Sequence, residues 1–186
     1  HKEMYPIRKS ITEIDLDKEE FRTSAVLALM FEENKRTKMI LTQRQQYTGK
    51  HSGQISFPGG KSEAYDADFQ HTALRESHEE IGVRKENISI IGKLTDVFIP
   101  VSKFLVHPFI GYHSDVPVFK LSEREVKEVI VFDLLDLLKE DIIKSKDIRI
   151  GENQKLKNVP FFEINGKVVW GATALILNEI RHILRR

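Results

Sequence analysis

The chain contains no cysteine, which excludes disulfide bridges and thiolate metal sites. That suits a reducing compartment, and a cytoplasmic location is the expectation. Net charge is almost absent: 29 basic and 28 acidic side chains leave +1. A nucleic-acid groove shows a basic excess, and none is present. Long apolar runs are missing too. The uncharged stretch Val168 to Asn178 is far short of the ~20 residues that a membrane span needs. The opening His-Lys-Glu-Met-Tyr-Pro lacks the pattern of a signal peptide. There is no internal repeat and no low-complexity linker. These absences leave one soluble domain over residues 1–186, monomer or homodimer, with a small-molecule partner and neither nucleic acid nor membrane.

What is present reads as mixed α/β. Ser24 to Phe31 is a short apolar run suited to a buried strand. A polar turn joins it to a partner beginning at Met39. Gly53 to Gly60 is punctuated by glycine and closes on Phe57-Pro58-Gly59-Gly60. Asp66 or Asp68 can cap a following helix, and Gly82 can end it in a left-handed turn. Ile88 to Ile99 and Phe104 to Tyr112 read as strands around Pro100, and Val126 to Phe132 as another, followed by a short helix at Leu134 to Leu138. Residues 139–158 carry many charges of both signs and read as a solvated excursion with one strand near Asp147 to Ile150. Asn165-Gly166 marks a hairpin with a type I′ turn. From Thr173 to Leu184, Ile176, Leu177, Ile180, Ile183 and Leu184 recur at helical spacing and form one apolar stripe.

The chemistry concentrates between Gly60 and Val83. Arg75, Glu76, Glu79 and Glu80 fall on one helix, with the three glutamates on neighbouring turns of one face. Like charges at that spacing repel by about 0.2–0.5 kcal/mol per pair in an isolated helix. A hard divalent cation reverses the sign, because carboxylate oxygens are the donors that Mg2+ or Mn2+ prefers. His51, His78 and His107 suit such ions less well than oxygen donors do.

This run resembles the signature of the Nudix hydrolases, G-x5-E-x7-R-E-U-x-E-E-x-G-U, with U aliphatic. Gly60, Arg75, Glu76, Glu79, Glu80, Gly82 and Val83 match. Asp66 stands where the first glutamate is expected, eight residues rather than seven separate it from Arg75, and Ser77 occupies an aliphatic position. The resemblance implies an α/β/α sandwich with a mixed sheet between helices. It also implies a metal-dependent pyrophosphatase that needs Mg2+ or Mn2+. Glu76, Glu79 and Glu80 would hold the metal and Arg75 would orient a glutamate. One of the three, or a later Glu125 or Glu128, would accept the proton of the attacking water. Glu128, just before an apolar strand, is the favoured later residue, both as base and as metal ligand.

Other segments resemble the coenzyme A pyrophosphatase branch. Leu41, Thr42, Arg44, Gly53 and the Phe57-Pro58-Gly59-Gly60 run match its lead-in. Thr72-Ala73-Leu74-Arg75-Glu76, His107-Pro108-Phe109-Ile110-Gly111 and Trp170-Gly171-Ala172-Thr173-Ala174 echo it later. Gln45 and Gly49 depart from it, the latter where an arginine is expected. The resemblance implies coenzyme A or acyl-CoA as substrate, with adenosine 3′,5′-bisphosphate and 4′-phosphopantetheine as products. Arg44, Gly59 and Gly60 would face the substrate. ADP-ribose or a dinucleotide is the alternative substrate, and a catalytically silent nucleotide-binding regulator is the alternative of a different class.

Overall fold

The computed structural model describes residues 4, 20–45, 53–150 and 154–186; the side chains of 150 and 154 are not described. Gly49 and His51 lie outside the described residues.

Strands β1 (Arg22–Glu33) and β2 (Arg36–Arg44) form the expected hairpin. Its turn places Asn34 and Lys35 at positive φ. β3 (Ile55–Ser56) and β4 (Gly59–Lys61) follow, then helix α1 (Phe69–Ile81). β5 (Ile88–Lys93), β6 (Val97–Ile99), β7 (Phe104–His113) and β8 (Val126–Asp133) complete the larger sheet. Its path runs β3-β2-β1-β7-β5, with β4 on β1, β6 on β7 and β8 on β2. β1 and β7 are parallel and the other pairs antiparallel, so the sheet is mixed.

Strand alternation gives this sheet two faces. Ala25, Leu27, Leu29 and Phe31 of β1 and Ile40 of β2 pack with Ala73 and Ile81 of α1. Ala28, Met39 and Leu41 point the other way. They meet Leu175, Ile176, Leu177 and Ile180 of the closing helix α2 (Gly171–Leu184). Full burial of a leucine such as Leu27 or Leu29 stabilises by about 1.5–3 kcal/mol. The mixed sheet therefore lies between helices, as the resemblance implied. Within α2 the stripe is shifted: Ile183 is exposed and Leu175 is buried.

Two segments differ from the sequence reading. Ile88 to Ile99 is broken at Leu94-Thr95-Asp96, where Glu179 of α2 accepts from Thr95 N at 3.0 Å and from its Oγ1 at 2.9 Å. Residues 139–158 are mostly strand. β9 (Ile143–Ile150), β10 (Gln154–Ile164) and β11 (Lys167–Val169) make a second, antiparallel sheet ordered β11-β10-β9. Its charges sit outside as cross-strand pairs, Lys155 with Asp147 at 2.8 Å and Lys144 with Glu163 at 2.5 Å. Ile148, Val159 and Phe161 are buried. Opposite charges across a strand pair stabilise the sheet, so a run charged in both signs is compatible with strand here. The Asn165-Gly166 turn has positive φ at both residues, as a type I′ hairpin requires.

Candidate active site

Helix α1 carries the site, and its ends are fixed by the residues the sequence offers. Asp68 rather than Asp66 is the N-cap: its Oδ1 accepts from His71 N at 2.6 Å. Gly82 ends the helix with φ 74° and donates to His78 O. The next carbonyls are taken by a later loop, since Ser122 N donates to Glu80 O and Lys120 N to Ile81 O, both at 2.9 Å. That loop covers the helix end and delivers Glu125 to the start of β8. Ser77, at the aliphatic position of the signature, is fully buried, and its hydroxyl donates to Ala73 O at 2.7 Å. This back-bond satisfies a polar group where an alkyl group is usual.

Across the sheet, Gly60, Ala25 and His107 lie in register on β4, β1 and β7. α1 crosses above this row. Phe69 stacks on the His107 ring at 3.8 Å between centroids, and Ala73 is buried beside Ala25 in the same core cluster. Glu76 reaches Gly60 so closely that a Cβ there would lie 2.3 Å from its Oε2. His107 Nδ1 lies 3.0 Å from Asp96 Oδ1, and His78 Nδ1 lies 3.0 Å from Val83 O, so neither Nδ1 faces the α1 glutamates.

The glutamates have distinct surroundings. Glu80 is 3% exposed, accepts from Gly59 N at 3.1 Å through Oε2, and has Arg44 Nη1 3.8 Å from Oε1. Burial pushes its carboxyl up to about 7; the Gly59 bond and Arg44 oppose the shift, and the charges of Glu76 and Glu125 add to it. Glu76 is raised as well, first by burial, with Arg75 opposing and Glu79 and Glu125 reinforcing. Glu79 is half exposed.

Arg75 is fully committed. Nη1 donates to Glu76 Oε1 at 2.8 Å and to Glu79 Oε2 at 3.2 Å. Nη2 donates to Lys61 O at 3.1 Å and to Asp66 Oδ2 at 2.9 Å, and Nε donates to Asp66 Oδ1 at 2.9 Å. A guanidinium has five N–H donors, so none remains for a substrate. Arg44 differs: its Nε is buried and has no hydrogen-bond partner among the described residues.

The structure does not bring Glu128 to this group. On β8, Val129 and Val131 pack on the α1 side and Ile130 and Phe132 on the α2 side. Alternation places Glu128 with Ile130. There it accepts from Lys167 Nζ at 2.7 Å, and the same amine donates to Gln43 at 3.1 Å. Glu125, the other later acid considered, is the one whose charge raises both Glu76 and Glu80. Gln45, a departure from the coenzyme A branch, fastens this turn: its N donates to Glu125 O at 2.9 Å and its Nε2 to Glu123 O at 3.0 Å. No sequence signal separates Glu125 from Glu128: β8 carries a register shift where Gln43 pairs with Glu128 and Arg44 with Val126, so Val126 packs on the α1 side although it has the parity of Glu128.

The donor set fits a hard divalent cation. It is all carboxylate oxygen; burial raises both Glu76 and Glu80, and the charge of Glu76 adds to the shift of Glu80. Among the described residues no three acidic or histidine side chains already converge as a cage for an ion; Arg75 draws Glu76 and Glu79 to itself.

A family model described as the NUDIX domain matches residues 21–150. The chain belongs to the Nudix hydrolase family. An uncharacterized Nudix hydrolase NudL of Yersinia enterocolitica is 30% identical over 142 residues, covering 76% of this chain and 71% of that protein. The NudL of Citrobacter koseri is 32% identical over 160 residues, covering 86% and 81%. Among solved structures, a MutT/nudix family protein from Enterococcus faecalis has a TM-score of 0.57 at 16% identity, covering 100% of this chain and 73% of that one. The NUDIX domain of Shewanella oneidensis NrtR, solved with ADP ribose, has a TM-score of 0.52 at 17% identity, covering 67% and 80%. These likenesses show the Nudix fold. Nudix enzymes generally use divalent metals. No helix among the described residues of this Nudix hydrolase is long and apolar enough to cross a membrane.

Proposed function

We propose that this Nudix hydrolase, as a single domain over residues 1–186, cleaves the diphosphate bond of coenzyme A or an acyl derivative with Mg2+ or Mn2+. The observation that carries the reaction is Glu80. A carboxylate with 3% exposure and a pKa raised to about 7 costs folding energy, and it lies beside Glu76, which is also raised. Strongly perturbed groups of this kind mark functional sites. Glu76, Glu79 and Glu80, joined by Glu125, would hold the cation. When bound, such an ion neutralises the diphosphate charge and lowers the pKa of a coordinated water. Arg44, whose side chain is 31% exposed beside Glu80, would bind a phosphate oxygen. Gly59 fixes Glu80 through its N–H, and Gly60 leaves space for Glu76. Glu125 is exposed and in this reading accepts the proton of the attacking water.

Coenzyme A as substrate rests on the Leu41-Thr42, Arg44 and Phe57-Pro58-Gly59-Gly60 wording and on the extra residue before Arg75. ADP-ribose is the second reading, favoured by the departures at Gln45 and Gly49 and by the NrtR domain that was solved with it. The test is a panel of coenzyme A, acetyl-CoA, ADP-ribose and dinucleotides with Mg2+ or Mn2+, with products resolved by mass. Release of adenosine 3′,5′-bisphosphate and 4′-phosphopantetheine in preference to all other products is expected. Preference for ADP-ribose overturns the substrate, and binding without turnover overturns the enzyme in favour of a nucleotide-binding regulator.

The two later acids should separate cleanly. Glu125→Gln is expected to lower kcat by ~10²-fold or more, in the range of general-base loss. Glu128→Gln breaks only a part-exposed pair with Lys167, so kcat should stay within about threefold and stability within about 1 kcal/mol. Steady-state kinetics of both variants check this, and the reverse pattern would return the role to Glu128.

A further inference from the structure

Two departures from the Nudix signature are neighbours: an aspartate at 66 instead of a glutamate, and one extra residue between it and Arg75. With Asp68 as the cap of α1, a seven-residue spacer would put the acid at 67, against the cap. Asp66 stands one residue further out and carries one methylene fewer. Its carboxylate is nevertheless enclosed, with 1% side-chain exposure. Oδ1 accepts from Arg75 Nε at 2.9 Å and lies 3.0 Å from His71 Nδ1. Oδ2 accepts from Arg75 Nη2 at 2.9 Å, Thr72 Oγ1 at 2.8 Å and Glu63 N at 3.0 Å. The Arg75 bonds in particular hold this carboxyl well below the usual range. Its lone pairs are in use, so it is a poor candidate for a base or a metal ligand.

We propose that Asp66 is a positioning residue, and that the shorter acid and the extra residue are one compensated change that keeps the Arg75 fork in place. Asp66 grips Nε and Nη2, which aims Nη1 at Glu76 and Glu79. An arginine held on both nitrogens of one edge has little freedom at the other. A glutamate at 66 pushes an extra methylene into a closed ring of donors. Removal of the exposed Ala67 pulls aspartate away from the fork. The two changes together restore the ordinary signature, glutamate followed by seven residues and Arg75. This inference rests on the reading that Glu76 belongs to the active site.

The test uses the full chain with Asp66→Glu, deletion of Ala67, both together, and Asp66→Asn. One readout needs no substrate: the Arg75 Nε–H resonance in 15N-labelled protein, which a paired carboxylate protects from exchange. The other is kcat and KM with Mg2+ on the substrate that the panel identifies. Each single change is expected to lose the protected resonance and to lower kcat by ~10-fold or more, with KM within about threefold. The double change is expected to restore the resonance and bring kcat within about threefold of wild type. A folded double variant no better than its parents overturns the compensation. Asp66→Asn with the resonance and kcat intact overturns the positioning role, and decides the matter if the deletion variants do not fold. If wild type cleaves nothing in the panel, the proposed function fails while the resonance still decides the role of Asp66.

Discussion

Glu80→Gln is expected to remove turnover and, without metal, to make the folded protein more stable at pH 8. Catalytic loss follows from the site: losing one oxygen charge beside a cation and a developing phosphoryl charge should lower kcat by ~10³-fold or more. The stability gain follows from linkage. The folded pKa of Glu80 is about 7 against an ordinary 4.5. Below pH 4.5 both folded and unfolded chains are protonated and the residue is neutral in effect. Between 4.5 and 7 the unfolded chain loses its proton first, so stability falls as pH rises. Above 7 the cost is constant, at about 3 kcal/mol for a buried group shifted this far. Glutamine carries no such charge and can still accept from Gly59 N. The variant should therefore gain on the order of 1–3 kcal/mol at pH 8 and nothing at pH 4, seen as a rise of several degrees in Tm. Saturating Mg2+ should stabilise wild type by mass action and leave the variant almost unmoved. A variant that loses stability at pH 8, or keeps its kcat, contradicts this account of Glu80.

The second large effect contrasts two adjacent glycines. Gly59 has φ 146°, and a Cβ there would lie 2.3 Å from Ala25 O and 2.6 Å from Val26 Cα, both backbone atoms. Neither can move without breaking the β1–β4 pairing, so Gly59→Ala should cost more than ~3 kcal/mol. At Gly60 the obstacle is the Glu76 carboxylate, 2.3 Å from the same construction. A flexible side chain can turn away, so Gly60→Ala should change stability by less than about 1 kcal/mol. The displaced carboxylate should lower kcat by ~10²-fold, since misplacement by an ångström is enough. Thermal unfolding and kcat on both variants separate these outcomes. Full activity in a folded Gly60→Ala protein would mean that the seat of Glu76 on Gly60 has no role.

Much of this site is legible in the sequence because it is local. Arg75, Glu76, Glu79 and Glu80 share a helix whose caps, Asp68 and Gly82, are written beside them. The Asn165-Gly166 turn is equally local. What escaped the sequence depends on pairing between distant segments. Glu125 and Glu128 are three residues apart in the chain, but the register of β8 on β2 sends Glu128 to the far face of the sheet. The full extent of β9 and β10 was hidden because Asp147, Lys155, Lys144 and Glu163 neutralise one another only across the pair. The sequence likewise left Asp66 and Asp68 open as caps; the hydrogen bonds of Asp66 to Arg75 and Thr72 divide their roles.

In the proposed function, the carboxylate cluster on α1 hydrolyses a diphosphate with a divalent cation. The most direct test is mass-resolved turnover of the nucleotide panel by wild type and Glu80→Gln, each with Mg2+ or Mn2+ and each with EDTA. Cleavage of a phosphoanhydride bond by wild type with metal, none with EDTA, and a loss of ~10³-fold or more in the variant is the predicted result. Equal turnover with EDTA, or equal turnover by Glu80→Gln, would contradict it.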